Sequence, residues 1–217
     1  MEMYPFQNPV DVAVIDEVQM LADPERGPAR TAVIMEVPAR QVILPDAPDA
    51  APMLQRIAAL CGDPLEEVRL ERMEPLPAAP EPVPLSEIGR GDAVITFSRR
   101  EVFSLRAELQ RRGRSVAVVY GALGPPVRRA QVRRFREGEA EVLVATDAIG
   151  VGLNVGPLRR VVFSALTKYD GKADRPLTVQ EIKQTGGRAG RFEGEHAEGI
   201  VALLAGGGDP REIVLAA

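Results

Sequence analysis

Three short clusters combine residue types that could do phosphate chemistry. The first is Asp16-Glu17, an acid pair that ends the apolar, largely β-branched run Val10 to Ile15. In an open α/β sheet, ligands collect at the carboxyl ends of the strands. One carboxylate there could hold magnesium on nucleotide phosphates while the next polarised an attacking water. A strand passing into a solvated turn would account for the same dipeptide without chemistry. The second cluster is Val144 to Asn154, a strand running into a loop with Gly150 and Gly152 two apart. Lacking Cβ, these glycines let backbone amides approach a phosphate or sugar closely, with hydroxyl and carboxylate groups beside them. A tight structural turn would use glycine in the same way. The third is Gln184 to Arg191, in which Arg188 and Arg191 stand three apart at a helical turn and can share one face. Such a pair suits bidentate recognition of phosphate oxygens and stabilisation of charge that develops in phosphoryl transfer.

The elements that must position these clusters read as alternating strands and helices. Val10 to Ile15 has the pattern of a parallel strand covered on both faces. A second short apolar run covers Gln41 to Leu44, and Met53 to Cys61 predicts a helix stopped near Gly62. Pro75, Pro77, Pro80, Pro82 and Pro84 then crowd one stretch, a density that excludes regular helix or central strand and suits a semi-rigid linker. Beyond it come a strand at Ala93 to Phe97, a helix from Ser98 to Arg112, and a strand at Ser115 to Tyr120. A helix near Val127 to Arg136 and a strand at Glu141 to Ala145 follow. Repeated β-α-β of this kind predicts a parallel sheet. Ser98 and Glu101 have the spacing of a capping box, each side chain bonding the other's backbone amide, and Gly113 supplies the stop. Further strands are expected at Arg159 to Ser164 and Gly199 to Leu204, with a helix from about Thr178 toward Gly186. The resulting division is a partial domain at 1–73, a proline-rich linker at 74–90 and a second domain at 91–217.

Composition limits the alternatives. A chain of 217 residues, 45% hydrophobic, can bury one solid core, or one core and part of another. No apolar run approaches the roughly 18 residues of a membrane span, and the N-terminal residues lack the pattern of a secretory signal. These features predict a cytoplasmic protein without a membrane partner. Cys61 and His196 are the only residues of their types, which excludes a disulfide framework and a zinc-type ligand cluster. Net charge is −4, against a binder of nucleic acid that relies on total charge. Arginine is nevertheless concentrated between Arg99 and Arg114 and between Arg128 and Arg136. Those segments could form a local positive face toward phosphates, or simply two solvated helix faces.

Taken in order, the clusters resemble the motifs of superfamily two helicases. Asp16-Glu17-Val18-Gln19 resembles the DExH box, Val94 to Ser98 motif four, Thr146 to Asn154 motif five, and Gln184 to Arg191 motif six. The stretches Val12 to Leu21, Ile95 to Leu105, Val118 to Leu123, Val144 to Asn154 and Gln184 to Phe192 are most similar to the mitochondrial degradosome RNA helicase family and its bacterial relatives. The resemblance covers about residues 10 to 205. It implies RecA-like α/β domains, parallel sheets flanked by helices, with ATP between them. The present chain would carry the second motor domain behind a fragment of the first. By position, Asp16 would contact Mg2+, Glu17 would activate water, and Arg188 and Arg191 would act as arginine fingers. Gln19, Gly152, Asn154 and Gln184 would lie at the nucleotide, and Ser98, Gly121 and Thr146 toward the nucleic-acid backbone. The implied partners are single-stranded RNA or DNA and a nuclease or degradosome-like partner.

Two departures from the family pattern matter. Helicases of this kind grip phosphates with a Gly-rich loop that ends in Gly-Lys-Ser/Thr. The only Gly-Lys pair here, Gly171-Lys172, precedes Ala173. The loop is therefore expected upstream of the DExH strand, and a first domain without it would expose sheet edges that further strands should cover. In addition, Leu44-Pro45-Asp46-Ala47 stands where the family has a small-residue motif three, which bears on how ATP use and unwinding are coupled. Two readings follow: an ATP-driven helicase that is complete only with that loop, or a noncatalytic module for binding nucleic acid or a protein.

Overall fold

The computed structural model describes residues 8–16, 18, 21, 27–45, 50–70, 77–150, 154–190 and 199–216. They form two compact units, residues 1–71 and 72–217.

In the first unit, β1 (Val10–Val14) pairs in parallel with β2 (Ala39–Ile43), Val10 opposite Ala39 and Val14 opposite Ile43. Helix α1 (Gly27–Glu36) connects them, and α2 (Ala51–Cys61) follows. Proline in the first turn of α2 forfeits no intrahelical bond. Gly62 ends that helix in the left-handed region at φ 74°, its N–H bonding the Ala58 carbonyl. Val18, Leu21, Leu54 and Ile57 make the small core of this unit. The expectation that β1 is covered on both faces is corrected: Val10, Val12 and Val14 are 40%, 48% and 63% exposed. Among the described residues β2 is the only strand beside β1. Apolar composition makes such a strand fit to be covered; coverage itself comes from neighbours that the sequence of the strand does not name.

The second unit contains a five-stranded parallel sheet in the order β4-β5-β3-β6-β9. Its strands are β3 (Asp92–Thr96), β4 (Val116–Val119), β5 (Val142–Thr146), β6 (Arg160–Phe163) and β9 (Ile200–Leu203). Helices α3 (Arg99–Arg111), α4 (Pro125–Arg136), α5 (Val179–Gly186) and α6 (Arg211–Ala216) connect or follow them, and a short antiparallel hairpin, β7 (Thr167–Tyr169) with β8 (Asp174–Pro176), precedes α5. Every residue of β3 is buried, as expected for a central parallel strand. Alternation of side chains divides the core in two. Ile95, Val119, Leu143 and Phe163 pack with Phe135 of α4, Ile182 of α5 and Ile213 of α6. Val94, Val118, Val144 and Val162 pack with Val102 and Leu109 of α3 on the opposite face. Burying each such side chain contributes on the order of 1.5–3 kcal/mol.

The prolines of the expected linker do not leave the backbone without partners. From residue 77 the segment runs extended beside β9, with Ala78 opposite Val201 and Val83 opposite Leu204. The Ala79 and Val83 amides bond the Val201 and Leu203 carbonyls at 2.7 Å each. At the edge of a sheet proline can stand without costing a ladder bond. The capping box expected at α3 is half formed. Ser98 accepts from the Glu101 amide at 3.1 Å, but the Glu101 carboxylate accepts from the buried Thr96 hydroxyl. A buried hydroxyl with no water to turn to takes the carboxylate.

Candidate functional site

The chain leaves β3 toward β4 on one side and β6 toward β9 on the other, so a topological switch lies at the carboxyl edge of the sheet, where α/β folds bind ligands. Three sequence-predicted residues stand on that edge, on adjacent strands. Ser98 follows β3, Gly121 follows β4, and Thr146 is the last residue of β5. Ser98 and Gly121 are exposed and Thr146 is half-buried. A Cβ built on Gly121 would meet nothing, so packing does not demand glycine there. Its carbonyl accepts from Arg128 at 2.8 Å.

Beside Ser98, the Arg99 guanidinium lies 5.7 Å from the Phe103 ring centre and 5.4 Å from that of Tyr120. The two rings meet edge to face at 5.6 Å. Arg99 is thereby held at the sheet edge by its stack on two rings, which its place in an arginine-rich run did not single out. Other arginines of those runs are spent locally. Arg111 and Arg112 pair with Glu108, and Arg134 with Glu139. The positive face expected from residues 99–114 and 128–136 is accordingly smaller than its arginine count.

The loop after β5 and the arginine segment after α5 are brought side by side. Leu158 and Ala189 form a parallel bridge, and the Gly190 amide bonds the Leu158 carbonyl at 2.9 Å. Asn154 is exposed, its Oδ1 accepting from the Gly156 amide at 3.2 Å. Gln184 is exposed on the last turn of α5, and Arg188 is half-buried just beyond the helix. The chain entering β9 closes against this segment: a Cβ on Gly199 would stand 1.9 Å from the Gly190 nitrogen. Glycine is required at 199 by that backbone crossing.

Asp16 lies in the first unit, exposed, where its backbone carbonyl accepts from Arg30 at 2.6 Å. Glu17, Gln19, Gly152 and Arg191 fall outside the described residues.

Sequence reasoning missed a charged cluster behind this edge. Lys168 of β7 contacts Asp147 at 3.1 Å and Glu181 of α5 at 2.6 Å. Arg175 of β8 grips Glu181 with two nitrogens, at 2.9 and 2.8 Å. Thr178 and Glu181 complete a capping box at the start of α5. Burial alone would raise the Glu181 carboxyl. Hydrogen bonds from Arg175, Lys168 and the Thr178 amide, with the Lys168 charge, outweigh it and lower the group to about 2. Burial disfavours the charged form of Lys168, yet its bonds to Glu181 and Asp147 leave it above the ordinary lysine value. The legible signals were Thr178-x-x-Glu181 and the turn residues Asp170-Gly171 between two short polar strands.

Residues 81–193 match the helicase conserved C-terminal domain, and residues 1–70 match the DEXQ-box helicase domain of Suv3. Among similar proteins, "ATP-dependent RNA helicase SUV3, mitochondrial" of Candida albicans is 38% identical over 94% of this chain and 28% of its own length. "DExH-box ATP-dependent RNA helicase DExH16, mitochondrial" of Arabidopsis thaliana is 41% identical over 94% of this chain and 36% of its own. Human "ATP-dependent RNA helicase SUPV3L1, mitochondrial" is 35% identical over 94% of this chain and 27% of its own. The chain thus spans roughly a third of such relatives or less. In structure it resembles Saccharomyces cerevisiae Dbp5 bound to RNA and ADP BeF3, with a TM-score of 0.65 and 20% identity over 95% of this chain and 56% of that one. The helicase MrfA, solved with DNA and AMPPNP, gives a TM-score of 0.59 at 20% identity over 89% of this chain and 30% of that one. These two likenesses establish the RecA-like fold. The cytoplasmic location expected from composition is overturned, because these three relatives are named as mitochondrial proteins; composition carries no address.

Proposed function

Because the chain belongs to the helicase conserved C-terminal domain family, we propose that it forms the second motor domain and part of the first in an ATP-driven helicase acting on single-stranded RNA. The grip on phosphates would come from a Gly-Lys-Ser/Thr loop outside these 217 residues. One observation carries this reading. The Leu158–Ala189 bridge sets the loop after β5 against the segment bearing Arg188, on the same sheet that presents Ser98, Gly121 and Thr146 at its carboxyl edge. Groups facing a triphosphate and groups facing a nucleic-acid backbone are thereby held by one rigid sheet, so a shift at one is felt at the other.

The donor set fits phosphate oxygens: a carboxamide at Gln184 and a guanidinium at Arg188, four positions apart at the end of α5, with Arg191 three further on. Arg188 and Arg191 would stabilise the charge that develops on the transferred phosphoryl group. Asp16 would hold Mg2+, which when bound neutralises charge across the phosphates. Glu17 would orient the attacking water, and Gln19, Gly152 and Asn154 would line the nucleotide. Ser98, Gly121 and Thr146 would contact the sugar-phosphate backbone, a mode of binding without sequence preference. A nuclease that consumes the released strand is the partner this activity suits.

The test is RNA-stimulated ATP hydrolysis by the protein extended upstream through a Gly-Lys-Ser/Thr loop. Glu17→Gln should abolish turnover; unchanged turnover removes Glu17 from this role. Arg188→Ala should cost a thousandfold or more in kcat, about the effect of losing an arginine finger, with RNA affinity largely kept. A large fall in affinity with normal turnover contradicts the assignment. The second reading is a noncatalytic module that binds nucleic acid or a partner protein. It gains if the extended protein binds RNA but never hydrolyses ATP.

A further inference from the structure

The hairpin β7-β8 puts Lys168 and Arg175 directly opposite each other across its ladder. Like charges in that position repel, so a hairpin that keeps both must set them against anions. Arg175 is satisfied within its own neighbourhood, by Glu181 and by the hairpin's Asp170 at 4.0 Å. Lys168 is placed differently. Its side chain is 17% exposed, and its ammonium spans two carboxylates from separate elements. Asp147 follows Thr146 and opens the loop that contains Asn154. Glu181 lies on α5 one turn before Gln184 and two turns before Arg188.

We propose that Lys168 is a positioning residue that ties the 147–150 turn after β5 to α5, making the hairpin a strut that sets the spacing between that turn and the helix that leads to Gln184 and Arg188. The Leu158–Ala189 bridge joins the chain further on, past Asn154 and just after Arg188, so the ammonium supplies a second point of attachment between the two stretches. A single point would leave a pivot. The main chain reinforces the strut: the Leu177 amide bonds the Leu166 carbonyl at 2.8 Å across the hairpin base. Arg175 hydrogen-bonds Glu181 of α5 and reaches Asp147 only through the longer-range pull between their charges. The two cations of one hairpin therefore have separable tasks.

For its catalytic consequence the strut rests on the proposed function, but its geometry can be read without it. In the chain as it stands, amide hydrogen exchange is compared for Lys168→Ala, Lys168→Arg and Arg175→Ala. Lys168→Ala should speed exchange at both 147–150 and 179–186. Arg175→Ala should speed it chiefly at 179–186, with a smaller effect at 147–150 than Lys168→Ala, and Lys168→Arg should restore protection at both. Exchange confined to the hairpin in Lys168→Ala, or equal effects of the two alanine variants at 147–150, overturns the strut whatever the protein's activity. In the upstream-extended protein, Lys168→Ala should lower kcat by about threefold to thirtyfold, the range seen when coupling networks are cut. KM for ATP should change less than kcat, and Lys168→Arg should recover most of the rate. Normal kcat in Lys168→Ala overturns the catalytic part of the proposal. Absence of hydrolysis in the unmutated extended protein refutes the helicase reading instead, with the exchange result still deciding the strut.

Discussion

Replacing Asp92 by asparagine should destabilise the second unit severely while sparing its carboxyl edge. Asp92 opens the central strand and its side chain is fully buried. Five donors converge on it: Arg159 Nε and Nη2 at 2.9 and 2.6 Å, Arg160 Nε and Nη2 at 3.1 and 2.8 Å, and the Gly89 amide at 3.0 Å. Asparagine keeps one acceptor oxygen but turns an NH2 group toward guanidinium donors and removes the charge that neutralises them. Removing one partner of a buried ion pair costs about 3–5 kcal/mol. Arg159 is 40% exposed and can turn to water, whereas Arg160, at 14%, cannot follow easily. That asymmetry places the cost near the lower limit, about 3 kcal/mol, out of the 5–15 kcal/mol typical of a folded domain. For a unit of this size each kcal/mol moves Tm by roughly 2–4 °C, giving a fall of about 6–12 °C. Urea denaturation and calorimetry of the chain measure both quantities. A loss below about 1 kcal/mol would show that the two arginines are not held by a charge they need, and would refute the reasoning. RNA affinity per folded molecule should be unchanged, because Asp92 lies at the opposite end of β3 from Ser98.

Gly199→Ala should disturb the arginine segment, since its Cβ would stand 1.9 Å from the Gly190 nitrogen and 2.1 Å from the Ala189 carbon. Backbone cannot yield as a side-chain tip does, so the expected result is lower Tm together with faster exchange at 187–190; a melting curve like that of the unmutated chain contradicts the crossing. Glu181 should give stability a distinctive pH profile. Its carboxyl lies near 2 in the fold against an ordinary 4.5, so its contribution is fully present above 4.5 and is lost as pH falls from there toward 2. The Tm gap between the unmutated chain and Glu181→Gln should accordingly narrow below pH 4.5, and a gap constant down to pH 3 rules out the depressed carboxyl.

The parallel sheet was legible in the sequence because its strands are buried on both faces and so are written as unbroken apolar runs. Asp92–Thr96 and Val142–Thr146 both fall within one residue of the predicted strands at their starts and ends. The glycine stop at Gly113, with φ 79°, and the Ser98 cap were local facts, set by residues close together in the chain. The family was likewise legible, since the motifs that carry the resemblance are short runs of consecutive residues. What the motifs touch was not. Glu101 turned from the Ser98 backbone to the Thr96 hydroxyl, and the proline-rich stretch became a partner of β9. The Lys168 bridge joins positions 21 and 13 residues away, Asp147 and Glu181. Exposure of β1 depends on what else packs beside it. Local propensity is a property of a few consecutive residues, whereas the pairing of a charge, the covering of a strand face and the crossing of two backbones at Gly199 are decided only when distant segments compete for the same space.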